Sequence, residues 1–370
     1  MIEIKGKYDT AKVFAAEVEE SAMEQLQTIV DHPAMEGAHI RIMPDVHAGA
    51  GCVIGFTARV TDKIIPNLIG VDIGCGVLSA SIISPLGRGC LPVFDELVRD
   101  SVPLGFYVHD VKSEILLRYP AIGMEILGDV QDICKKIGME YSYALASIGT
   151  LGGGNHFIEL DEKNGNQLLV VHSGSRNLGL KVANYYQHIA NENHPEAPKG
   201  LAWLEGIDAE NYIKDLQVIQ AYAKLNRHCI VEQIGLRTDI KAEYQTESVH
   251  NYIQDGIIRK GAISAQLGES VIIPMNMRDG TILGTGIGLE DWNYSAPHGA
   301  GRIMSRSFAK KHVTLDEFKK SMQGVYSTSV REDTLDESPM AYKPIGSIVD
   351  AFENTLMDMQ IVKPILNIKA

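Results

Sequence analysis

Hydrophobic residues recur along the chain with two periods, one typical of helices and one typical of strands. Near the amino terminus, apolar residues between positions 18 and 29 are three or four residues apart, which places them on one face of a helix. The same spacing predicts helices over residues 181–193 and 209–234, the second with Asp208 as its N-cap and Gly235 as its stop.

Short apolar runs predict strands. Residues 40–43 alternate and meet Pro44, residues 168–171 form a run that ends in His172, and residues 271–273 form a run that meets Pro274. By contrast, residues 276–288 contain five glycine or asparagine positions and are predicted as a loop.

Helical spacing returns in three other places. It runs through residues 92–148, including Ile115 and Leu116, and it predicts a last amphipathic helix over residues 347–359. Residues 314–317 read Thr-Leu-Asp-Glu, which matches a capping box at the start of a helix. We find no internal repeat, linker or low-complexity tract, so we expect one α+β domain over residues 1–370.

Composition narrows the class of protein. The 370 residues are 45% hydrophobic and 22% charged, and no apolar run approaches the ~20 residues of a membrane span. The first residues lack an apolar signal core, so we expect a cytoplasmic protein. Its five cysteines are an odd number without framework spacing, which favours thiols over disulfides. A net charge of -13 argues against bulk attraction to nucleic acid, so a polyanion would need a local basic patch.

Five residues at or just after predicted strand ends carry metal-binding chemistry. Thiolate, imidazole and carboxylate together suit a borderline transition metal better than magnesium or calcium, which prefer all-oxygen shells. Five ligands exceed the needs of one tetrahedral site, which leaves room for two ions that share a bridging thiolate. The candidate ligands are Asp72, Cys75, His156, His172 and His250.

A sixth candidate, His298, lies among small residues in the stretch APHGAGR. Glycines on both sides of Ala300 let the backbone approach a ligand, and Arg302 and Arg306 are four residues apart, as suits phosphate binding from one helix face. Together with Arg176, these arginines direct the site towards phosphate chemistry, with His298 available for covalent phosphoryl or nucleotidyl transfer.

Structural explanations remain open for these residues. Cys75 can be a small buried side chain, and His156 and His172 can be hydrogen-bonded core histidines. His298 can face solvent in a turn after Pro297.

Taken in order, the motifs resemble the RtcB family of RNA-splicing ligases. They are MPDVHAG at 43–49, GVDIGCG at 70–76, GTLGGGNHFIE at 149–159, HSGSR at 172–176, HNY at 250–252, HGAGR at 298–302 and PMAYK at 339–343. The resemblance implies β-sheets flanked by helices around a central metal site, and a ligase that depends on GTP and manganese. Such enzymes join RNA ending in a 2',3'-cyclic phosphate or 3'-phosphate to RNA with a 5'-hydroxyl, through histidine–GMP and RNA-ppG intermediates.

The resemblance also implies roles for individual residues. The five candidate ligands would hold two manganese ions with Cys75 as the bridge, and His298 would take GMP as a phosphoramidate. The residues implied at the nucleotide are Asn155, Glu159, Asn276, Gly299, Ala300, Gly301, Arg302 and Lys369. Those implied at the RNA end or its phosphates are Asp45, His47, Arg176 and Arg306.

Departures from the family pattern leave some questions open. Residues 275–277 read Met-Asn-Met where many members have Gly-Ser-Met, and Val249 replaces a second histidine. A shortened segment before Gly149 leaves both tRNA halves and cleaved structured RNA as candidate substrates, and a need for an activating protein partner stays open. The alternative activity is a metal-dependent phosphodiesterase or phosphatase acting on nucleic-acid ends, with His298 as general acid.

Overall fold

The computed structural model describes residues 1–110 and 120–370, with the side chains of the second range described from Glu125 onward. The predicted helical positions Ile115 and Leu116 lie outside the described residues. The helices are α1 Glu20–Val30, α2 Leu91–Ser101, α3 Pro120–Ile137, α4 Tyr141–Ala146, α5 Arg176–Asn193, α6 Gly206–Thr238, α7 Arg306–His312, α8 Leu315–Ser321 and α9 Ile345–Phe352. The strands are β1 Ile2–Lys5, β2 Thr10–Val13, β3 Arg41–His47, β4 Ile54–Arg59, β5 Lys63–Ile64, β6 Gly76–Ile82, β7 Phe157–Lys163, β8 Asn166–Ser173, β9 Leu204–Glu205, β10 Ala242–Val249, β11 Asn251–Gln254, β12 Ile257–Lys260, β13 Ala262–Ser264, β14 Ser270–Asn276, β15 Gly280–Gly286, β16 Ser295–Pro297 and β17 Leu356–Ile368.

Two larger sheets organise the strands. A six-stranded sheet has the order β1-β2-β3-β4-β12-β11, and a seven-stranded sheet has the order β10-β6-β8-β7-β17-β15-β14. The seven-stranded sheet is curled, because its outer strands approach each other and the Ile272 amide of β14 donates to Ser248 Oγ of β10 at 3.0 Å. With helices packed against these sheets, the predicted α+β fold is confirmed.

The largest hydrophobic core lies where helices cover the sheets. It includes Leu26 and Ile29 of α1 together with Leu216 and Ile219 of α6, all fully buried. The predicted amino-terminal helix and its apolar face are therefore confirmed. No helix within the two described ranges is long and apolar enough to cross a bilayer.

Helix α6 is longer than the sequence predicts. It begins at Gly206, so Asp208 lies in its first turn rather than at the N-cap, and it continues through Gly235 to Thr238. Glycine inside a helix costs only about 1 kcal/mol, and the burial of Ile234 beside it favours continuation. The helix ends where Asp239 adopts a left-handed conformation, with φ of 58°.

The predicted loop over residues 276–288 was wrong, because β15 lies there and pairs with both β14 and β17. Its glycines have a packing role: a Cβ on Gly280, whose φ is +93°, would overlap the carbonyl oxygen of Val362. The predicted helix over residues 347–359 is also partly wrong, since α9 ends at Phe352 and β17 begins at Leu356.

Neither proline predicted to end a strand does so. Pro44 lies inside β3 and Pro274 lies inside β14. Each falls at a shift in strand register, where the missing amide hydrogen of proline is tolerated.

Candidate active site

A cavity of about 540 Å³ lies at one edge of the curled sheet, facing the end of β3 and the start of β4. Strand pairing brings the ligand motifs to this edge, because β6 begins opposite the end of β8 and the end of β10. His172 is the second-to-last residue of β8 and pairs with Phe157, the first residue of β7, so His156 lies next to it. Segments far apart in sequence therefore converge on one rim.

The five candidate ligands form one group, called here the ligand cluster: Asp72, Cys75, His156, His172 and His250. Cys75 Sγ lies 3.4 Å from His156 Nε2 and 3.3 Å from His172 Nε2. Their donor atoms divide into two overlapping sets within metal-binding distance, Asp72–Cys75–His156 and Cys75–His172–His250. Cys75 belongs to both, so the donors suit two ions that share one thiolate.

Hydrogen bonds orient two of these imidazoles. His156 Nδ1 lies 2.9 Å from the carbonyl oxygen of Leu151, and His172 Nδ1 lies 3.2 Å from that of Asn155. A carbonyl oxygen accepts only from N–H, so each ring carries a proton on Nδ1 and turns its Nε2 towards Cys75.

Burial keeps two histidines of this cluster, His172 and His250, neutral. Burial, reinforced by neighbouring imidazoles, lowers the pKa of His172 and His250 well below the usual range. Burial and the adjacent Asp72 carboxylate raise the pKa of Cys75 well above its usual value. A divalent cation would reverse the effect on this thiol, since coordination deprotonates it.

Two adjacent residues of α6 support all the ligand-bearing segments, and sequence analysis missed both. Asn226 Oδ1 accepts from the amides of Gly149 and Thr150, and its Nδ2 donates to the carbonyl oxygen of Gly174. These bonds connect the loop before His156 to the residues just after His172.

Its neighbour Arg227 is fully buried. Its Nη1 donates to the carbonyl oxygens of Gly74 at 2.7 Å and Ser173 at 3.0 Å, and its Nε contacts Glu247 of β10 at 2.7 Å. The side chain thus connects the residue before Cys75, the residue after His172 and the strand that leads to His250. The available sequence signal was the polar run Asn226-Arg227-His228 between the apolar residues Leu225 and Cys229.

His298 lies beside the ligand cluster, with its ring centroid 4.8 Å from that of His250. Its Nδ1 is 2.7 Å from Oδ2 of Asp45, a carboxylate that is fully buried. The same oxygen accepts from the backbone amide of His298 at 3.2 Å. A carboxylate that accepts from Nδ1–H leaves the Nε2 lone pair free, as a nitrogen nucleophile requires.

A second charged group, called here the arginine cluster, lines another wall: Arg302, Arg306, Asp336, Glu337 and Lys369. Lys369 Nζ lies 2.7 Å from Glu337 Oε2, and both side chains are almost fully buried. Although burial opposes ionisation, Lys369 and Arg306 hold the pKa of Glu337 at about 2. Sequence analysis missed Asp336 and Glu337, which stand just before the predicted PMAYK motif.

The carboxyl-terminal lysine is held in place by β17. Lys369 Nζ also donates to the carbonyl oxygen of Asn155 at 3.3 Å and lies 5.5 Å from the centre of the Phe157 ring. Nearby, Asn367 Nδ2 donates to Glu159 at 2.6 Å, and burial raises the pKa of Glu159 to about 7. These residues form a buried polar wall suited to a nucleobase or sugar.

Most of the predicted site residues line the cavity, and three lie behind its wall. Asp45 is buried beneath His298, and His156 is buried against Leu151. Arg176 has a left-handed backbone with φ of 56° and donates to Thr150 Oγ1 and to the carbonyl oxygen of Gly105. The cavity-lining residues among those predicted are His47, Asp72, Cys75, Asn155, Glu159, His172, His250, Asn276, His298, Gly299, Ala300, Gly301, Arg302, Arg306 and Lys369.

Two of these lining residues also have local contacts. Asn276 closes the β14–β15 hairpin, because its side chain accepts from the amides of Arg278 and Asp279 and donates to the Asp279 carboxylate. Gly301, with φ of +71°, touches the Asp45 carbonyl group so closely that a Cβ would overlap it. The glycine therefore lets the loop after His298 lie against β3.

The arrangement can perform one kind of chemistry particularly well. It combines donors for two cations, a buried carboxylate that orients a nitrogen nucleophile, and basic side chains that bind phosphate oxygens. This is the equipment of a metal-assisted transfer of a phosphoryl or nucleotidyl group.

Comparison with known proteins identifies the family. A family model described as tRNA-splicing ligase RtcB matches residues 25–108 and 128–370. The RNA-splicing ligase RtcB of Escherichia coli strain K12 is 28% identical over 95% of each chain. The tRNA-splicing ligase RtcB of Aeropyrum pernix is 28% identical over 83% of this chain and 82% of its own, and that of Methanococcus maripaludis is 25% identical over 94% and 90%. The chain belongs to the RtcB family, which confirms the resemblance.

Proposed function

We propose that this protein is an RNA ligase that joins a 2',3'-cyclic phosphate or 3'-phosphate end to a 5'-hydroxyl end, using GTP and two manganese ions. The observation that supports this most is the contact between Asp45 and His298 beside the ligand cluster. It prepares one nitrogen for attack on phosphorus at a site with donors for two cations. The matched relatives carry names of RNA-splicing ligases, which supports the same chemistry.

In the first step, His298 Nε2 attacks the α-phosphorus of GTP. A P–N bond forms, the bond to the bridging oxygen breaks, and pyrophosphate leaves. The ring gains positive charge as the bond forms, and the Asp45 carboxylate stabilises that charge through Nδ1–H. The ligand cluster would hold two manganese ions, which supply charge neutralisation at phosphate oxygens when bound.

Two further steps complete the reaction. An oxygen of the RNA 3'-phosphate attacks the same phosphorus, the P–N bond breaks, and His298 is regenerated with GMP on the RNA end. The 5'-hydroxyl then loses its proton and attacks the RNA phosphorus, and GMP leaves as the phosphodiester forms. A cyclic phosphate would first be opened by water to the 3'-phosphate.

The cavity walls give the nucleotide a defined place. A volume of about 540 Å³ lies within the range of small-molecule sites. We propose that Asn155, Glu159 and Lys369 contact the nucleoside, while Gly299, Ala300 and Gly301 approach its phosphate. Arg302 and Arg306 would exchange their contacts with Glu337 and Asp336 for phosphate oxygens. Asn276 and His47 would complete the rim, the latter beside the RNA end.

For Asp45 we propose a role that differs from the one that the family resemblance implies. Because the Asp45 side chain is fully buried and touches His298, we propose that it positions the nucleophile instead of contacting the RNA end. For Arg176 we propose a contact with RNA phosphate through the remainder of its guanidinium group, since Nε and one Nη atom are bound internally. One ligase domain over residues 1–370, a cytoplasmic location and an optional activating partner remain parts of this proposal.

Intact-protein mass after incubation with GTP and manganese tests the proposal. We expect a gain of one GMP in the wild-type chain and none in His298→Ala, with normal manganese content in both. His188→Ala, which removes an exposed histidine of α5, is the matched control and should form the adduct normally. An adduct that persists in His298→Ala would refute the assignment of the nucleophile.

The same preparations are then given paired RNA ends across a panel of metals and nucleotides. Joined product that requires a 3'-phosphate and a 5'-hydroxyl supports the ligase. Release of phosphate or a trimmed end without any adduct would instead support the phosphodiesterase or phosphatase, with His298 as general acid.

A further inference from the structure

The rim of the cavity continues onto an exposed surface with two kinds of side chain. On one side, Phe106 is 98% exposed and Tyr107 is 79% exposed, next to each other in a tight turn. Exposing adjacent aromatic rings to water is unfavourable, so an exposed pair of this kind indicates a binding surface. On the other side, helix α7 begins at the cavity with Arg306 and carries further basic residues away from it.

The aromatic turn is fixed to the site. The amide of Gly105 donates to the carbonyl oxygen of Gly152, and the carbonyl oxygen of Gly105 accepts from Arg176 at 2.6 Å. Leu104 forms a β-bridge with Gly152 as well. The two rings are therefore held beside the glycines that precede His156.

Those glycines provide an open floor between the two sides. A Cβ built on Gly153 would meet only the Gly105 Cα within 4 Å, at 3.6 Å, among the described atoms. A Cβ built on Gly154 would meet only an Arg306 guanidinium nitrogen, at 3.9 Å. Within the described part of the chain, no side chain covers Gly153 or Gly154, so an extended strand can lie across these glycines from the aromatic turn to α7.

The basic side is distinctive in an acidic protein. Residues 292–315 contain Arg302, Arg306, Lys310 and Lys311 and no Asp or Glu, although the chain carries a net charge of -13. On α7, Arg306 and Lys310 lie one turn apart on one face, and Lys310 is 50% exposed.

Acidic neighbours neutralise this group only in part. Four cations, Arg302, Arg306, Lys310 and Lys369, contact the two carboxylates of Asp336 and Glu337. The group therefore keeps positive charge, and Lys311 adds to it.

We propose that this surface, called here the rim strip, carries a single RNA strand away from the active site. The inference rests on the proposed ligase function and names the path of its substrate. The rim strip consists of Phe106, Tyr107, Gly153, Gly154, Lys310 and Lys311. Bases stack on the two aromatic rings and phosphates contact the two lysines, a combination that binds single strands without sequence preference.

Two double variants test the rim strip, Phe106→Ala with Tyr107→Ala and Lys310→Glu with Lys311→Glu. Lys214→Glu with Lys241→Glu is the matched control, because it makes the same charge change on α6 and just before β10. The probes are a fluorescent decamer and a dinucleotide of RNA, both ending in 3'-phosphate, with binding measured by anisotropy without GTP. All changed side chains are exposed or half-exposed, and melting curves verify folding.

We expect decamer binding to weaken about tenfold or more in each rim variant, while dinucleotide binding stays unchanged. In the lysine variant, the slope of log affinity against log salt should also fall by about 1.4, for two single-strand phosphate contacts. Equal decamer affinity in wild type and both rim variants would overturn the proposal, as would an equal loss in the control.

Adduct formation with GTP separates this proposal from the ligase function. The variant Phe106→Ala with Tyr107→Ala should form the GMP adduct at the wild-type rate, since neither aromatic side chain lines the nucleotide cavity. If wild type forms no adduct, the ligase function fails, whereas the decamer binding data still decide whether the rim strip holds RNA.

Discussion

The ligand cluster and the arginine cluster are built on opposite principles. In the ligand cluster, side chains are oriented by backbone carbonyl groups and by Asn226 and Arg227 of α6. In the arginine cluster, charged side chains are oriented by each other, with Glu337 in contact with both Lys369 and Arg306.

This difference separates a preorganised site from one that must rearrange. Ions can enter the ligand cluster with little movement, because the imidazole Nε2 atoms of His156 and His172 already face the shared thiol. A nucleotide that binds the arginine cluster must replace carboxylate contacts with phosphate contacts. Changes to the ligand cluster should therefore remove ligation, whereas changes to the arginine cluster should alter nucleotide affinity and the preference for GTP over ATP.

The largest effect is expected from the shared thiolate. Cys75→Ser should lose both ions and all detectable ligation, since a hydroxyl deprotonates less readily than a thiol and bridges two ions poorly. Metal content by mass spectrometry checks this, with Cys134→Ser as the control for another buried cysteine. Two ions still bound to Cys75→Ser would count against the bridge.

The next effect concerns the nucleophile. Asp45→Asn should slow GMP adduct formation on the order of 10³-fold, because an amide that donates to Nδ1 favours the tautomer whose Nε2 is protonated. Single-turnover labelling measures the rate, and manganese content should stay normal. A rate near that of the wild type would show that Asp45 does not set the tautomer.

A smaller effect, a loss of manganese affinity, is expected from a change to Arg227 behind the ligand cluster. Arg227→Lys keeps the charge but cannot maintain contacts with Gly74, Ser173 and Glu247 together. Manganese affinity should fall about 10- to 100-fold, as is typical when residues that orient ligands are changed. Titration with manganese measures it, and Arg237→Lys, near the end of the same helix, is the control. Unchanged affinity would mean that α6 only supports the fold.

The smallest effect should come from the arginine cluster. Lys369→Met should reduce the preference for GTP over ATP in adduct formation by about tenfold, because an ammonium donates to the guanine carbonyl oxygen but finds no acceptor on the adenine amino group. Lys363→Met, on the exposed part of β17, is the matched control. If both variants keep the full preference, Lys369 does not read the base.

The sequence predicts the metal ligands of the ligand cluster, but it does not predict Arg227 behind them or Glu337 of the arginine cluster. The candidate ligands were predicted because each stands at or just after a predicted strand end, and the structure brings all five together. Arg227 could not be assigned in the same way, because it acts on the Gly74 carbonyl oxygen across 153 residues and no local pattern reports that contact. Glu337 could not be predicted in this way either, because its basic partners Arg306 and Lys369 are 31 and 32 residues away in the sequence and meet it only in the fold.

The elements of the fold also differ in how well the sequence predicts them. Helices with a strong apolar face were predicted, whereas β15 was missed because its glycines, which favour loops, are needed for its close approach to β17. Strand boundaries at Pro44 and Pro274 also depend on register, which only the paired strands define.

The ligand cluster joins segments whose sequence separations run from 78 to 97 residues for its contacting pairs. An unfolded chain would have to close large loops to bring even one such pair together, so it cannot imitate the site. Ions that bind here are therefore bound by the native state, and their binding free energy adds to the free energy of unfolding. The melting temperature should rise with the logarithm of manganese concentration, which would make metal supply a determinant of how long the folded protein persists.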